Sequence, residues 1–442
     1  TSSFRQSVTL KFTVIGILSL ILLIPAGMIK NLILERERIN QDVKQELTAI
    51  WGKDQTITGP YLTIPYIDYK ETEDGIKEIT HYLHIMPEKL SISGNIEPEI
   101  RKRGIYQVIL YDSNLKFSGT FPETESHIKD IDPTSVRWKD ATINIGIPDM
   151  RGIQEKMAVH WNDSTFPMNP GIRTQHIAIT GVSTGIPLIP QKEADFSFTL
   201  DLNGSENLSF VPLGKETDVA LTSNWQNPSF NGSFLPRDHT ITKDGFSAKW
   251  KVLHLNRAYP QTWVNNQYDV AESAFGLSLL TLVDHYQKSY RSAKYAIMFI
   301  ALTFLTFFFI EVLNKKLIHP IQYLLVGLAL IVFYSLLTSL SEHMAFLWAY
   351  LISAILNIGL ISLFGSGIFK KRKLTLTLAS ILIVLYVFLY TILQLMDYAL
   401  LMGNIGLFIA LALVMFFSRK IDWYGLSKEP NLAVKKNLPN EP

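Results

Sequence analysis

Long apolar runs and short alternating runs divide this chain into two textures. Six stretches, 10–33, 295–313, 321–340, 344–364, 374–396 and 399–417, are apolar over the length of about 20 residues that a helix needs to cross bilayer hydrocarbon. The first stands alone, and the other five follow one another through short connections. Beyond the first, Leu32, Ile39, Val43, Leu47 and Ile50 recur near the helical period of about 3.6. The charged "ERER" and "QDVKQE" fall between them, so the span is expected to continue as an amphipathic helix over 34–50.

The period then shortens. "TGPYLTIPYIDY", "YQVILYDSNLKFSGTF", "ATINIGIPD", "DFSFTLDLNGSENLSFVPL", "DVALTS" and "GFSAKWKVLHL" are β-branched or aromatic runs punctuated by Gly, Pro, Asn and Asp, which predicts strands in an antiparallel, sandwich-like body. Two echoes, "LKFSGTFP" with "PSFNGSFLP" and "HWNDSTFPMNPG" with "SNWQNPSFNG", raise a two-lobed duplication as one arrangement of that body. The expected fold class is integral membrane α plus extracytoplasmic all-β. Its parts are an anchor helix over 1–33, the amphipathic helix over 34–50, a β-rich domain over 51–290, a bundle of five transmembrane helices over 291–420 and a tail over 421–442.

Composition supports this division. Of 442 residues, 48% are hydrophobic and 18% charged, too apolar for an ordinary soluble chain of this length. A formal net charge of +2 gives no field for nucleic acid. The absence of cysteine excludes disulfides, thiolate nucleophiles and cysteine metal centres.

The connections give a direction. Lys and Arg occur in "NKKLIH" (314–319), "KKRK" (370–373) and "SRK" (418–420), after the second, fourth and sixth spans, while the alternate connections hold only Glu342, His343 and Asp397. Basic loops stay in the cytoplasm, so both termini are expected there and the β-rich domain in a periplasm. Arg5 and Lys11 open the first span, whose apolar run exceeds that of a cleaved signal; it reads as an uncleaved anchor.

Candidate chemistry is sparse. "GVSTG" (181–185) has the spacing of a nucleophile elbow, but Pro187 and Pro190 deny it the following helix, and a turn is the better reading. His81 and His84 of "HYLH" would point to opposite faces of a strand. HExxH, GxGxxG and phosphate-loop motifs are absent. His319 stands beside Pro320 at a helix start. Within the spans Glu311 is the one carboxylate, and the expectation is that it reaches the cytoplasmic interface and meets Lys315 at i+4. Gln322, Ser335, Thr338, Ser339, Asn357, Gln394 and Asn404 suit hydrogen bonds between helices. Asp284 and His285 precede the second span, Glu342 and His343 join the third to the fourth, and Asp397 joins the fifth to the sixth. Together they define an outer polar rim able to bind Zn²⁺ or move protons, or simply to cap helix ends. No cofactor is expected.

"WGKDQTITGPYLTIPY", "RGIYQVILYDSNLKFSGTF", "LSFVPLGKET", "SNWQNPSFNGSFLP", "VDHYQKSYRSAKYAIMF", "KLIHPIQYLLVGLAL", "SLSEH" and "DYALLMGNIGLFIALALVMFFSRKIDWY" resemble the CreD family along nearly the whole chain and in the same order. The resemblance implies a bacterial inner-membrane protein of cell-envelope integrity, tied to a two-component regulatory system and to β-lactam and colicin responses. It implies no reaction and transfers no catalytic motif.

Three functions are open to such a chain. One is a module embedded in the lipid bilayer whose periplasmic β-domain binds or senses an envelope or membrane protein partner. Another is a membrane-embedded enzyme working at the rim through Asp284, His285, Glu342, His343 and Asp397. The third is a transporter, which would call for midplane polar groups or broken helices. The missing motifs and the large β-surface favour the first.

Overall fold

The computed structural model describes residues 8–72, 75–128, 131–279, 285–314, 316–395 and 398–419. The chain divides into two compact units, one formed by Thr1–Ile39 with Val283–Pro442 and the other by Asn40–Leu282.

The first unit is helical. It contains α1 (Val8–Ile21), α2 (Leu23–Trp51, which runs on into the second unit), α3 (His285–Lys294), α4 (Ala296–Leu313), α5 (Pro320–Ser341), α6 (Phe346–Phe369), α7 (Arg372–Gln394) and α8 (Ala399–Ser418). Leu22 interrupts the first long helix only in name. Its N–H reaches Leu18 O at 3.0 Å, and its carbonyl accepts from Ala26 N–H at 3.2 Å. Among the described residues six helices are long and apolar enough to cross a membrane, the first running Lys11–Trp51. Pro320 occupies the first turn of α5, where its missing N–H costs nothing. His319 caps that turn: Ile321 N–H donates to its Nδ1 at 3.3 Å and its own N–H donates to Gln322 Oε1 at 3.0 Å.

These helices pack through aromatic and small residues. Leu22 and Ile33 are fully buried in the core made by α4, α5, α6 and α7. Gly327 of α5 makes room for the first of them, since a Cβ there would stand 2.1 Å from Leu22 Cδ1. Helix α8 lies at the edge, with most of its apolar side chains exposed, as a lipid-facing helix must have them.

The second unit is a two-sheet β-body entered by the last turns of α2. One sheet has nine strands. Its main path runs Pro228–Gly232, Phe275–Leu279, Asn207–Val211, Gln55–Thr72, Thr142–Gly146, Gly181–Gly185, Asn169–Pro170, and Gly75–Ile85 with Thr262–Val264 branches from Gln55–Thr72. The other has eight strands, in the order Asp238–Thr242, Gly245–Leu253, Glu216–Ser223, Lys89–Arg103, Tyr106–Phe121, Ala194–Ser205, Ala158–Trp161, Ser164–Pro167. Alternation dictates the core. Along Ala194–Ser205, for example, Phe196, Phe198, Leu200 and Leu202 turn inward while Asp195 and Thr199 face out. Rings cross between the sheets, with Trp250 against Phe275 at 5.9 Å and Phe230 against Trp250 at 5.6 Å.

One expectation needs correction, and one arrangement left open by the sequence is decided. Pairing is not wholly antiparallel: Gln55–Thr58 runs parallel to Leu208–Val211, and Lys89–Ile96 parallel to Glu216–Ser223. Nor does the body fall into two lobes. Side chains of both sheets share one main core, and the echoed segments lie in different sheets, 115–121 in Tyr106–Phe121 and 228–232 in Pro228–Gly232. Turn composition at Gly and Pro suffices to produce such echoes.

Candidate functional site

Glu311 is the most demanding residue in the helical unit. Its side chain, 2% exposed, does not turn outward but stays inside the bundle. Lys11 Nζ of α1 lies 2.6 Å from Oε1, Ile318 N–H donates to the same oxygen at 3.1 Å, and the Tyr323 hydroxyl donates to Oε2 at 2.8 Å. Phe304 and Phe307 set their edges against the Tyr323 ring at 5.5 and 6.1 Å. The expected helical neighbour, Lys315, lies outside the described residues. Among the described residues the cation that pairs with Glu311 comes from 300 positions away, a pairing that no local spacing encodes. With a cation on one oxygen and hydroxyl and amide donors completing both, the carboxylate tolerates removal from water. It fastens α1 to α4 and α5.

Higher in the same core a polar chain ties three helices. Asn357 Nδ2 of α6 donates to Ala329 O of α5 at 2.5 Å, Tyr386 of α7 donates to Asn357 Oδ1 at 3.1 Å, and Tyr350 of α6 donates to Tyr386 O at 2.6 Å. Asn357 was legible as a helix-bridging residue. The two tyrosines were not, because inside an apolar run a tyrosine looks like bulk.

Of the five rim residues, three, His285, Glu342 and His343, are described. Asp284 and Asp397 lie outside the described residues. Glu342 accepts from the Tyr286 hydroxyl at 3.1 Å, His343 is exposed, and His285 starts α3 with its ring 4.3 Å from that of Tyr286. Lys288 Nζ reaches Gln394 Oε1 at 3.3 Å and Arg291 Nη2 reaches Leu393 O at 3.3 Å, so α3 is laid across the ends of α5 and α7 by polar contacts. Among the described residues no group of three or more His, Cys, Asp or Glu is placed to hold a metal ion.

In the β-body, His84 is fully buried on the strand Gly75–Ile85. The strand reading separates it from His81, which instead stacks on Tyr66 at 5.3 Å. His84 Nδ1 lies 3.1 Å from Thr63 Oγ1, which accepts from Asn144 Nδ2 at 3.0 Å, while His84 Nε2 lies 3.1 Å from His176 Nδ1. Burial first, and the neighbouring His176 second, push the His84 imidazole down to about 3, and burial lowers His176 as well. Both rings are therefore neutral near neutral pH. Sequence reading missed His176, which lies on a loop with no motif around it. "GVSTG" is a paired strand rather than a turn, and Ser183 donates to Gly171 O at 2.7 Å; the strained elbow of a nucleophile is not formed there.

The outer face of the eight-stranded sheet carries an open hollow of about 580 Å³. Strand register lines up Asp218, Ser91, Ser118, Ser197 and His160 across it. Small polar side chains leave the sheet surface accessible, and Gly119 lets the backbone of Lys89 and the Phe196 ring come close.

The comparisons with known proteins agree with this architecture. The family described as inner membrane protein CreD matches residues 7–424. The inner membrane protein CreD of Escherichia coli (strain K12) is 32% identical over 432 residues, which cover 96% of this chain and 95% of that protein. Neither name specifies a reaction. Together with an apolar N-terminal helix, a large β-rich unit and five apolar C-terminal helices, these matches make the chain a multi-pass inner membrane protein of the cell envelope, and it belongs to the CreD family.

Proposed function

We propose that this protein serves envelope integrity by presenting its β-body in the periplasm to an envelope partner, with both termini in the cytoplasm. The placement rests on Lys and Arg being confined to alternate short connections. The observation that carries the binding role is the hollow on the eight-stranded sheet, where hydroxyls, one imidazole and three carboxylates, Asp195, Glu216 and Asp218, converge on an open surface. A polar, uncovered concavity on a rigid sheet suits recognition of a polar segment. Elsewhere the buried polar groups described above are spent on one another. Glu311 answers Lys11, Asn357 answers Tyr386 and His84 answers His176.

The cysteine-free chain makes the test direct. Single Ser118→Cys and Lys371→Cys variants in intact cells are treated with a membrane-impermeant maleimide. Labelling at 118 and protection at 371 is the expected result, and the reverse overturns the placement. A photo-crosslinking residue at Ser118 or Ser197 should then give one adduct of constant mass that is missing when the residue is placed at Asp238. Equal adducts at all three positions would remove the hollow as the binding face.

A further inference from the structure

The turn between α6 and α7 concentrates positive charge. Lys370, Lys371, Arg372 and Lys373 are consecutive and exposed, and among the described residues no carboxylate lies within ion-pair distance of any of them. Lys370 has φ of 52°, the left-handed conformation that favours glycine at a helix end. A cation thus stands where the backbone alone would favour no side chain. The first turn of α7 has no side-chain cap, so its N–H groups and the positive end of its dipole add to the same field.

Directly beside this turn is a hollow of about 550 Å³ lined by the four cations, by Ser366 and Thr375, and by Leu376 and Ala379. Its lower wall is apolar and continues into the lipid-facing surface of α7, where Leu376 and Ile383 are exposed. It persists because Gly365 lets Leu378 close the α6–α7 contact underneath, with Phe369 and Leu378 fully buried. A site that is cationic at its mouth and apolar along its length matches one ligand shape, a phosphate carrying an acyl chain.

We infer that the α6–α7 turn holds an anionic phospholipid, its headgroup phosphate among Lys370–Lys373 and one acyl chain along Leu376 and Ala379. Basic pockets between membrane helices recognise such headgroups, each cation near the surface strengthening binding about fivefold. The occupant is drawn from the bilayer rather than from free anion, because the apolar wall offers phosphate alone nothing. The inference does not depend on the proposed periplasmic role, and only the leaflet follows from the orientation.

The test is native mass spectrometry of the full-length protein in mild detergent, offered phosphatidylglycerol and phosphatidylethanolamine in equal amounts. The wild type is expected to retain phosphatidylglycerol preferentially. K370Q/K371Q/R372Q/K373Q should abolish the preference, and K316Q/R419Q should leave it. A379F fills the hollow and keeps every cation, and so preserves the charges that direct insertion; it too should lose the lipid while unfolding at the wild-type temperature. Equal retention of both lipids, or a preference that survives the quadruple substitution, overturns the site. Displacement of phosphatidylglycerol by inorganic phosphate in excess overturns the acyl part and leaves an anion site only.

Discussion

The two units treat a titratable group removed from water in opposite ways. In the helical unit Glu311 is kept beside a cation, Lys11, at 2.6 Å. In the β-body His84 has no carboxylate among its hydrogen-bond partners and is kept neutral, between Thr63 and His176. The difference follows from what each unit has to secure. An anchor helix beside an apolar bundle gains little from burial, because lipid tails are as apolar as the helices, so a directional tie between charges fixes its position. A sandwich is already driven together by its core, and a buried imidazole needs only hydrogen bonds that do not cost a charge.

Breaking the ion pair is the strongest way to probe this contrast. Lys11→Met leaves a carboxylate whose remaining partners among the described residues, Ile318 N–H and the Tyr323 hydroxyl, are neutral, and should lower stability in detergent by about 3 kcal/mol, read as a lowered unfolding temperature with the β-body's own transition unmoved. The Lys11 side chain, 24% exposed, keeps this at the lower end of buried-pair values.

Acid should act on the other unit. The folded His84 sits at about 3 against an ordinary 6.5, so between those values the unfolded chain binds more protons than the folded one. Stability is therefore complete above about 6.5 and falls as pH drops toward 3, by roughly 1.4 kcal/mol per pH unit. At about pH 4.5 the loss approaches 2–3 kcal/mol. Tryptophan fluorescence should follow it, since Trp263 lies 6.2 Å from His84. A flat profile across that window would mean that the imidazole is not held neutral by burial.

Packing of the anchor gives a smaller effect. Gly327→Ala drives a methyl toward Leu22, whose terminal carbons can shift, and should cost about 1 kcal/mol. Smallest is Tyr386→Phe, which removes one donor to Asn357 and should cost roughly 0.6 kcal/mol, the usual worth of a hydrogen bond between membrane helices. Thermal unfolding of both variants ranks them below Lys11→Met.

How far the sequence disclosed these features depended on the range of the interaction. The six spans were readable from local apolar length, as was the helix start at His319–Pro320, and the strand around His84 was readable from alternation. Pairings across the chain were not. Lys11 looks like part of a basic leader and Glu311 like a residue bound for the interface, and only the packing of α1 onto α4 joins them. His176 has no periodic context, and the parallel pairing of Gln55–Thr58 with Leu208–Val211 depends on a connection too long for turn chemistry to specify. The rim was inferred from shared topology, with Asp284 and Asp397 outside the described residues; of the described members, Glu342 accepts from Tyr286 of α3.

The central claim is that a charge pair holds the anchor helix to the bundle. A double-mutant cycle on Lys11 and Glu311, with K11M, E311L and the pair of substitutions together in the full-length protein, tests it most directly. The expected result is that K11M alone is severe and that adding E311L restores most of the loss, a coupling of about 2 kcal/mol. Additive losses would show that the two side chains do not act as a pair and would contradict the account.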